Sequence, residues 1–204
     1  MTTDTDRGDV SPQVTVISPM YNEEAGIESA VSSMLARLSG LDRTWEYIVV
    51  NDGSTDRSLE IVQNLAARND RLRIVTYPRN RGRGYALRQG FAAARGELIV
   101  TTEADSSWGD SIVEDFLRAF DAAPELDMII ASPHRRGGGY RNVPRFRVLL
   151  SEGGNLFLRF GIGGGLTMFT GMCRAYRRPV IDALLLENDG KEIHLEIVSK
   201  ANDL

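Results

Sequence analysis

The chain is poor in the residues that carry most covalent and metal chemistry. It has one cysteine, Cys173, and two histidines, His134 and His194. A single cysteine excludes a disulfide within the chain and a multi-cysteine zinc site, and it fits a reducing compartment. No Ser-His-Asp or Cys-His pairing is apparent, so acyl-type covalent catalysis has no support. We expect His194 to lie on the surface of a charged helix, whereas His134 opens an arginine-rich stretch and could touch a phosphate.

Long apolar runs and a basic excess are also missing. No segment reaches the ~20 uninterrupted apolar residues of a membrane span, and the N-terminus lacks the basic and apolar regions of a signal peptide. The net charge of -4 argues against a protein that coats nucleic acid. The 204 residues predict a mobile polar leader, residues 1–12, and a single domain, residues 13–204.

Short β-branched runs alternate with helical patterns as far as residue 132. The runs that predict strands are Val14–Ser18, Tyr47–Asn51, Arg73–Tyr77, Glu97–Thr102 and Asp127–Ala131. Each of the first four is followed by apolar residues at helical spacing, and we expect Ser54 to cap the second helix. Nearly continuous apolar strands that alternate with helices predict an α/β fold with a mainly parallel sheet sandwiched by helices.

The pattern changes after residue 132. Residues 134–147 contain five arginines and no acidic residue, and residues 148–169 are apolar and contain glycine. Further on, residues 178–202 predict two short helices. The arginines could hold a phosphate or an anionic membrane surface, with the apolar stretch in the interface. The alternative is a core helix with a basic flank.

Polar residues concentrate where the predicted strands end. They are Asn22 after the first strand, Asp52 and Ser54 after the second, the NRGRG stretch at 80–84 after the third, and Glu103 and Asp105 after the fourth. Ligands of open α/β sheets bind at the carboxyl ends of the strands. Any one of these residues could simply start a helix, but the convergence of four such loops predicts a binding site.

Two of these loops point to specific ligands. Glu103 and Asp105 are spaced so that both carboxylates point the same way, and they repel each other unless a cation lies between them. A divalent cation, Mg²⁺ or Mn²⁺, fits that place and would bridge to phosphates, whereas the alternative is a solvated turn. The arginines at 79, 81, 83 and 88 flank Gly82 and Gly84 before a helix. That loop suits a diphosphate or is a solvated basic loop, and it fails the dinucleotide fingerprint because a third glycine is absent.

The order of these motifs resembles a known family. The segments PMYNEE, VVNDGSTD, NRGRGYALRQG, TEAD and CRAYRR are similar to the inverting family-2 glycosyltransferases of GT-A fold. Within that family the chain looks most like the dolichol- or polyprenyl-phosphate mannose synthases, over roughly residues 13–201. The resemblance implies a Rossmann-like nucleotide-sugar-binding half, residues 13–132, and an acceptor-side half, residues 133–204.

The resemblance also implies roles for individual residues. Those expected around the nucleotide are Pro19, Tyr21, Glu23, Asp52, Arg81, Gly82 and Ala104, with Asp52 hydrogen-bonded to the base. Glu103 and Asp105 would bind the metal, and Asp105 and Arg174 would act in catalysis near the phosphates. Arg135 and Arg136 are our candidates for the acceptor phosphate. The chain departs from the family at Glu103, where aspartate is usual, at Ser107-Trp108, and by ending just after its EIVSKA segment.

The function that follows is a metal-dependent, inverting transfer of a hexose, with mannose as the preferred sugar. The donor would be GDP-mannose or a UDP-hexose, and the acceptor a polyprenyl or dolichyl phosphate. An ionised phosphate attacks without a general base, which accounts for the scarcity of histidine. The alternatives are a family-2 transferase to a carbohydrate or lipid hydroxyl, and a non-catalytic nucleotide-sugar-binding protein. We expect a cytoplasmic protein, peripheral at the inner membrane surface, with no nucleic-acid partner.

Overall fold

The computed structural model describes residues 11–103, 111–133 and 168–202. The strands in these ranges are β1 (Val14–Met20), β2 (Trp45–Asn51), β3 (Leu72–Thr76), β4 (Leu98–Thr101), β5 (Met128–Ile130) and β6 (Arg174–Arg177). The helices are α1 (Ile27–Leu38), α2 (Ser58–Ala66), α3 (Arg83–Ala93), α4 (Ile112–Ala122), α5 (Arg178–Ala183) and α6 (Ile193–Ala201).

The strands form one sheet in the order β3-β2-β1-β4-β6-β5. Strands β1 to β4 are parallel, and β6 runs antiparallel to both of its neighbours. The expected mainly parallel sheet is therefore confirmed. The carboxyl ends of β1 to β4 meet at one edge, which we call the rim.

Helices cover both faces of the sheet. Because neighbouring strand residues point to opposite faces, Val16 of β1 packs in the cluster that includes α1, α2 and α4, whereas Ile17 packs with α3 and α6. The expected sandwich is thus present. No helix in the described ranges is long and apolar enough to cross a membrane.

The predicted strands agree with the observed ones to within two residues at each end. Strand β6 was not predicted, because two of its four residues are arginines and its run is short. It inserts between β4 and β5, so residues beyond 133 complete the sheet that residues 13–132 begin. The two short helices expected within residues 178–202 are present as α5 and α6.

Candidate active site

Two of the loops at the rim are joined by reciprocal hydrogen bonds. The first loop, residues 21–26, follows β1, and the second loop, residues 52–57, follows β2. The Asn22 N–H donates to Ser54 Oγ at 3.0 Å, and the Thr55 N–H donates to Asn22 Oδ1 at 2.8 Å. Asn22 has a φ of 55°, a left-handed conformation that asparagine tolerates. Ser54 is therefore a link between loops, and its expected role as the cap of α2 is wrong, because that helix begins four residues later.

Asp52 joins the second loop to the third loop, residues 77–82. Its side chain is buried, with Oδ1 accepting the Arg81 N–H at 2.7 Å and Oδ2 accepting the Gly82 N–H at 3.0 Å. The adjacent Gly53 has a φ of +67°, and a Cβ there would lie 2.5 Å from the Asn80 nitrogen. The second and third loops thus touch backbone to backbone. Contact of Asp52 with a nucleotide base remains a prediction.

The basic stretch at residues 79–88, which follows β3, is hydrogen-bonded to acceptors elsewhere in the chain. The N–H groups of Gly84 and Tyr85, in the first turn of α3, donate to the Asp189 carbonyl at 2.7 and 3.1 Å. The Asp189 carboxylate pairs with Arg88 and, at 3.3 Å, with Arg81. Asp189 thus engages two amides and two guanidinium groups of this stretch, and binding of a diphosphate by the loop remains a prediction. Arg79 and Arg81 are exposed, as the alternative of a solvated basic loop expects.

Tyr85, which the motif analysis did not single out, stacks beneath this loop. The Arg81 guanidinium carbon lies 3.7 Å from the centroid of the Tyr85 ring, a cation–π distance. The Tyr77 ring meets the Tyr85 ring edge-on at 5.0 Å. The pKa of Tyr77 is raised above its usual range, mainly by burial and to a lesser extent by the neighbouring Asp52 carboxylate. Its hydroxyl therefore stays protonated.

The first loop leaves an open surface at the rim. Pro19, near the end of β1, is half-buried, whereas Tyr21 and Glu23 are exposed. The backbone N–H of Glu23 donates to Ser58 Oγ at 2.7 Å, which fixes the main chain and leaves the carboxylate of Glu23 at the surface. These positions are compatible with the expected contacts to a nucleotide, which remain predictions.

Glu103 follows β4 and lies beside the positively charged side chain of an arginine. Its Oε1 is 3.7 Å from Nη1 of Arg83, the first residue of α3, and both side chains are about one-third exposed. Within the described ranges no three potential ligands converge on a metal position. The other candidate residues, Ala104, Asp105, Arg135, Arg136 and His134, lie outside those ranges.

Arg174, at the start of β6, has a structural role. Its side chain is fully buried, and its guanidinium donates to the carbonyls of Gly171 at 2.7 Å, His194 at 2.9 Å and Phe169 at 2.5 Å. These bonds tie residues 169–171 to α6. The Arg174 guanidinium thus holds backbone carbonyls in place, and its expected role in catalysis near the phosphates remains a prediction.

The expectation that His194 lies at the surface is wrong. It lies on α6 between Ile193 and Ile197, which are both buried, and is itself only 2% exposed. Neither ring nitrogen has a hydrogen-bond partner in the part of the chain that the structure describes. The pKa of His194 is lowered to about 3, mainly by burial and further by the positive charges of Arg174, Arg83 and Lys191. The ring is therefore neutral at physiological pH.

The sequence matches the family model "Glycosyl transferase family 2" over residues 15–185. An undecaprenyl-phosphate 4-deoxy-4-formamido-L-arabinose transferase of Aeromonas hydrophila is 32% identical over 173 residues, which are 84% of this chain and 51% of that protein. The putative glycosyltransferase CsbB of Bacillus subtilis is 26% identical over 177 residues, or 87% and 52% of the two chains. The chain spans about half the length of these relatives.

Solved structures share the fold. Glucosyl-3-phosphoglycerate synthase of Mycobacterium tuberculosis, in complex with Mn²⁺, UDP and phosphoglyceric acid, superimposes with a TM-score of 0.71 at 21% identity. The match covers 94% of this chain and 64% of that one. The architecture is thus the expected GT-A fold, and the rim loops lie within residues 15–185, the range that the family model matches. The chain belongs to glycosyl transferase family 2.

Proposed function

We propose that the chain transfers a sugar from a nucleoside diphosphate to a polyprenyl phosphate, with inversion at the sugar carbon. Two findings support the proposal together. The loops at the rim of a parallel sheet are joined to one another, and relatives of the chain are named for transfer to undecaprenyl phosphate. The rim is where an α/β sheet binds its ligand. The relatives' names supply the class of acceptor.

A phosphate acceptor, the class named for the relatives, demands less of the site than a hydroxyl acceptor. A hydroxyl must lose a proton to a general base as it attacks, whereas a phosphate monoester is already ionised, with a second pKa of ~6. Both carboxylate oxygens of Asp52 accept backbone N–H groups, and His194 is buried. These two residues are therefore poor candidates for a general base, and a hydroxyl acceptor would have to use another rim carboxylate, such as Glu23 or Glu103.

We propose that the reaction uses a divalent cation held by Glu103 and Asp105. Glu103 fits such an ion because it presents a partly exposed carboxylate, a ligand that Mg²⁺ and Mn²⁺ prefer. When bound, the cation would neutralise the leaving diphosphate. Arg83 lies close enough to Glu103 to supply positive charge to the same place.

The donor sugar is proposed only as a class. The relatives are named for a formamido-arabinose, and the structural neighbours were solved with UDP or UDP-glucose. Neither set names mannose, the sugar preferred from the motifs alone. A UDP-sugar is therefore the first donor to test, with GDP-mannose second.

We also propose that residues 133–204 meet the acceptor at the cytoplasmic face of a membrane. The five arginines within residues 134–147 support this part, since each arginine near an anionic surface contributes ~1 kcal/mol that salt screens. Co-sedimentation with anionic liposomes should fall steeply between low and high salt. It should also weaken when Arg135 and Arg136 are changed to glutamine. Absence of binding at low salt would remove this part of the proposal.

The transfer itself is tested with radiolabelled UDP-sugars and GDP-mannose, Mn²⁺, and either undecaprenyl phosphate or undecaprenol. We expect label in the lipid extract with the phosphate alone. Label on the alcohol would favour the hydroxyl-acceptor alternative, and nucleotide binding without transfer to either lipid would favour the non-catalytic one. Asp105→Ala should abolish the metal-dependent signal, whereas Glu103→Asp should retain it.

A further inference from the structure

The segment between α5 and α6 is packed against the loop expected to bind the nucleotide. Residues 187–190, which we call the 187–190 segment, run beside the start of α3. The Asp189 carbonyl accepts the N–H groups of Gly84 and Tyr85, while its carboxylate pairs with Arg81 and Arg88. One residue therefore fixes the first turn of α3 and two guanidinium groups.

Gly82, at the end of the third loop, and Gly84, in the first turn of α3, make this packing possible. A Cβ at Gly82 would lie 2.6 Å from the Asp189 carbonyl oxygen, and one at Gly84 would lie 2.7 Å from the Gly190 carbonyl oxygen. Cβ atoms do not approach backbone oxygens so closely. The glycines of this stretch, which imitate a phosphate-binding fingerprint, thus admit the chain's own backbone.

Glu196 holds the segment from the other side. Its carboxylate accepts the N–H groups of Glu187 at 2.9 Å and Asn188 at 3.0 Å, and it pairs with Lys200 at 2.8 Å. Burial alone would raise its pKa, but these hydrogen bonds lower the pKa of Glu196 to about 2. The segment is therefore anchored to α6 by a group that stays charged.

We infer that Asp189 is a positioning residue for the nucleotide site, acting through Arg81 and Arg88. Asp52 holds the third loop from the β2 side and Asp189 holds it from the α6 side, so the loop is fixed between two carboxylates. The Arg81 guanidinium, half exposed at the rim, is kept over the Tyr85 ring by this pairing. The inference rests on the proposed function, because it assumes that the third loop contacts the nucleotide.

The test is Asp189→Asn, which keeps the backbone contacts of the segment and removes its charge. A loop that is no longer fixed must be ordered by the ligand, so we expect UDP affinity, measured by calorimetry with Mn²⁺, to fall about tenfold. In the transfer assay KM for the donor should rise with kcat unchanged, as for a contact made equally in the ground and transition states. Asp189→Glu should restore most of the affinity.

Two further variants separate positioning from stability. Asp182→Asn removes an exposed carboxylate that pairs with Arg178 at 3.8 Å on α5, away from the rim, and should leave UDP affinity unchanged. Arg88→Gln breaks the pair from its other side, and the double variant with Asp189→Asn should bind no more weakly than the weaker single variant.

The outcomes decide between the inference and the proposed function. Unchanged or tighter UDP binding by a folded Asp189→Asn protein would overturn the inference, as would independent, additive losses in the double variant. If the parent protein binds neither UDP nor GDP, the proposed function fails first.

Discussion

Replacing Asp52 by asparagine tests whether its carboxylate joins the second and third loops. The substitution keeps the shape of the side chain and removes its charge. In the protein both carboxylate oxygens face backbone N–H groups, those of Arg81 and Gly82. In Asp52→Asn one oxygen becomes an NH₂ group, so a buried N–H faces another donor.

The size of the effect follows from these two bonds. A buried donor left without a partner costs ~1–3 kcal/mol, and the remaining bond loses the strengthening that a charged acceptor gives, about 1 kcal/mol. We expect the free energy of unfolding to fall by about 3 kcal/mol. For a domain of this size each kcal/mol lowers the melting temperature by ~2–4 °C, so the expected drop is roughly 6–12 °C.

Thermal melting followed by circular dichroism, without nucleotide, measures this loss. The matched control is Asp121→Asn, the same substitution at an exposed carboxylate that pairs with Arg43 at 2.6 Å. An exposed pair contributes less than about 1 kcal/mol, so the control should melt near the parent protein. A parental melting temperature for Asp52→Asn, together with weaker UDP binding, would refute the reasoning and leave Asp52 with a ligand contact alone.

Three further changes probe the packing around the rim. Arg174→Met leaves three backbone carbonyls without their donor and should lower the free energy of unfolding by about 3 kcal/mol or more, measured in urea. Gly84→Ala should lower the melting temperature, whereas Gly26→Ala should not, because a Cβ at Gly26 meets nothing within 4 Å; equal melting of the two variants would contradict the close approach. His194 has a pKa of about 3 when folded and 6.5 ordinarily, so only the unfolded chain takes up a proton between those values. Stability should therefore be full above about pH 6.5 and fall by about 2 kcal/mol from pH 7 to pH 5, and a His194→Gln protein with the same pH profile would show that the ring does not contribute.

The sequence was sufficient for the parts of the fold that local patterns encode. Continuous apolar runs located β1 to β5, and the polar residues after them located the rim, because parallel strands end on the same edge. Strand β6 was not predicted because it has only four residues, two of them arginines. The short RAYR run carries no strand signal of its own.

The errors in the site have a common physical cause. A motif indicates which residues are polar but not which partner they meet. Ser54 bonds to a loop about thirty residues away instead of capping α2. His194 is buried although it stands between Lys191-Glu192 and Glu196 in the sequence, charged neighbours that indicated a surface position. Asp189 gave no motif signal, although the glycines at 82 and 84 that face it did.

Hydrogen–deuterium exchange with and without UDP and Mn²⁺ tests most directly whether the rim is the nucleotide site. The account predicts slower exchange on ligand addition in peptides that cover residues 19–24, 52–58 and 79–88. Peptides from α4, which packs on the opposite side of the sheet from α3, should exchange at an unchanged rate. Protection confined to α4, or UDP binding with no change in the rim peptides, would contradict the assignment of this edge of the sheet as the nucleotide site.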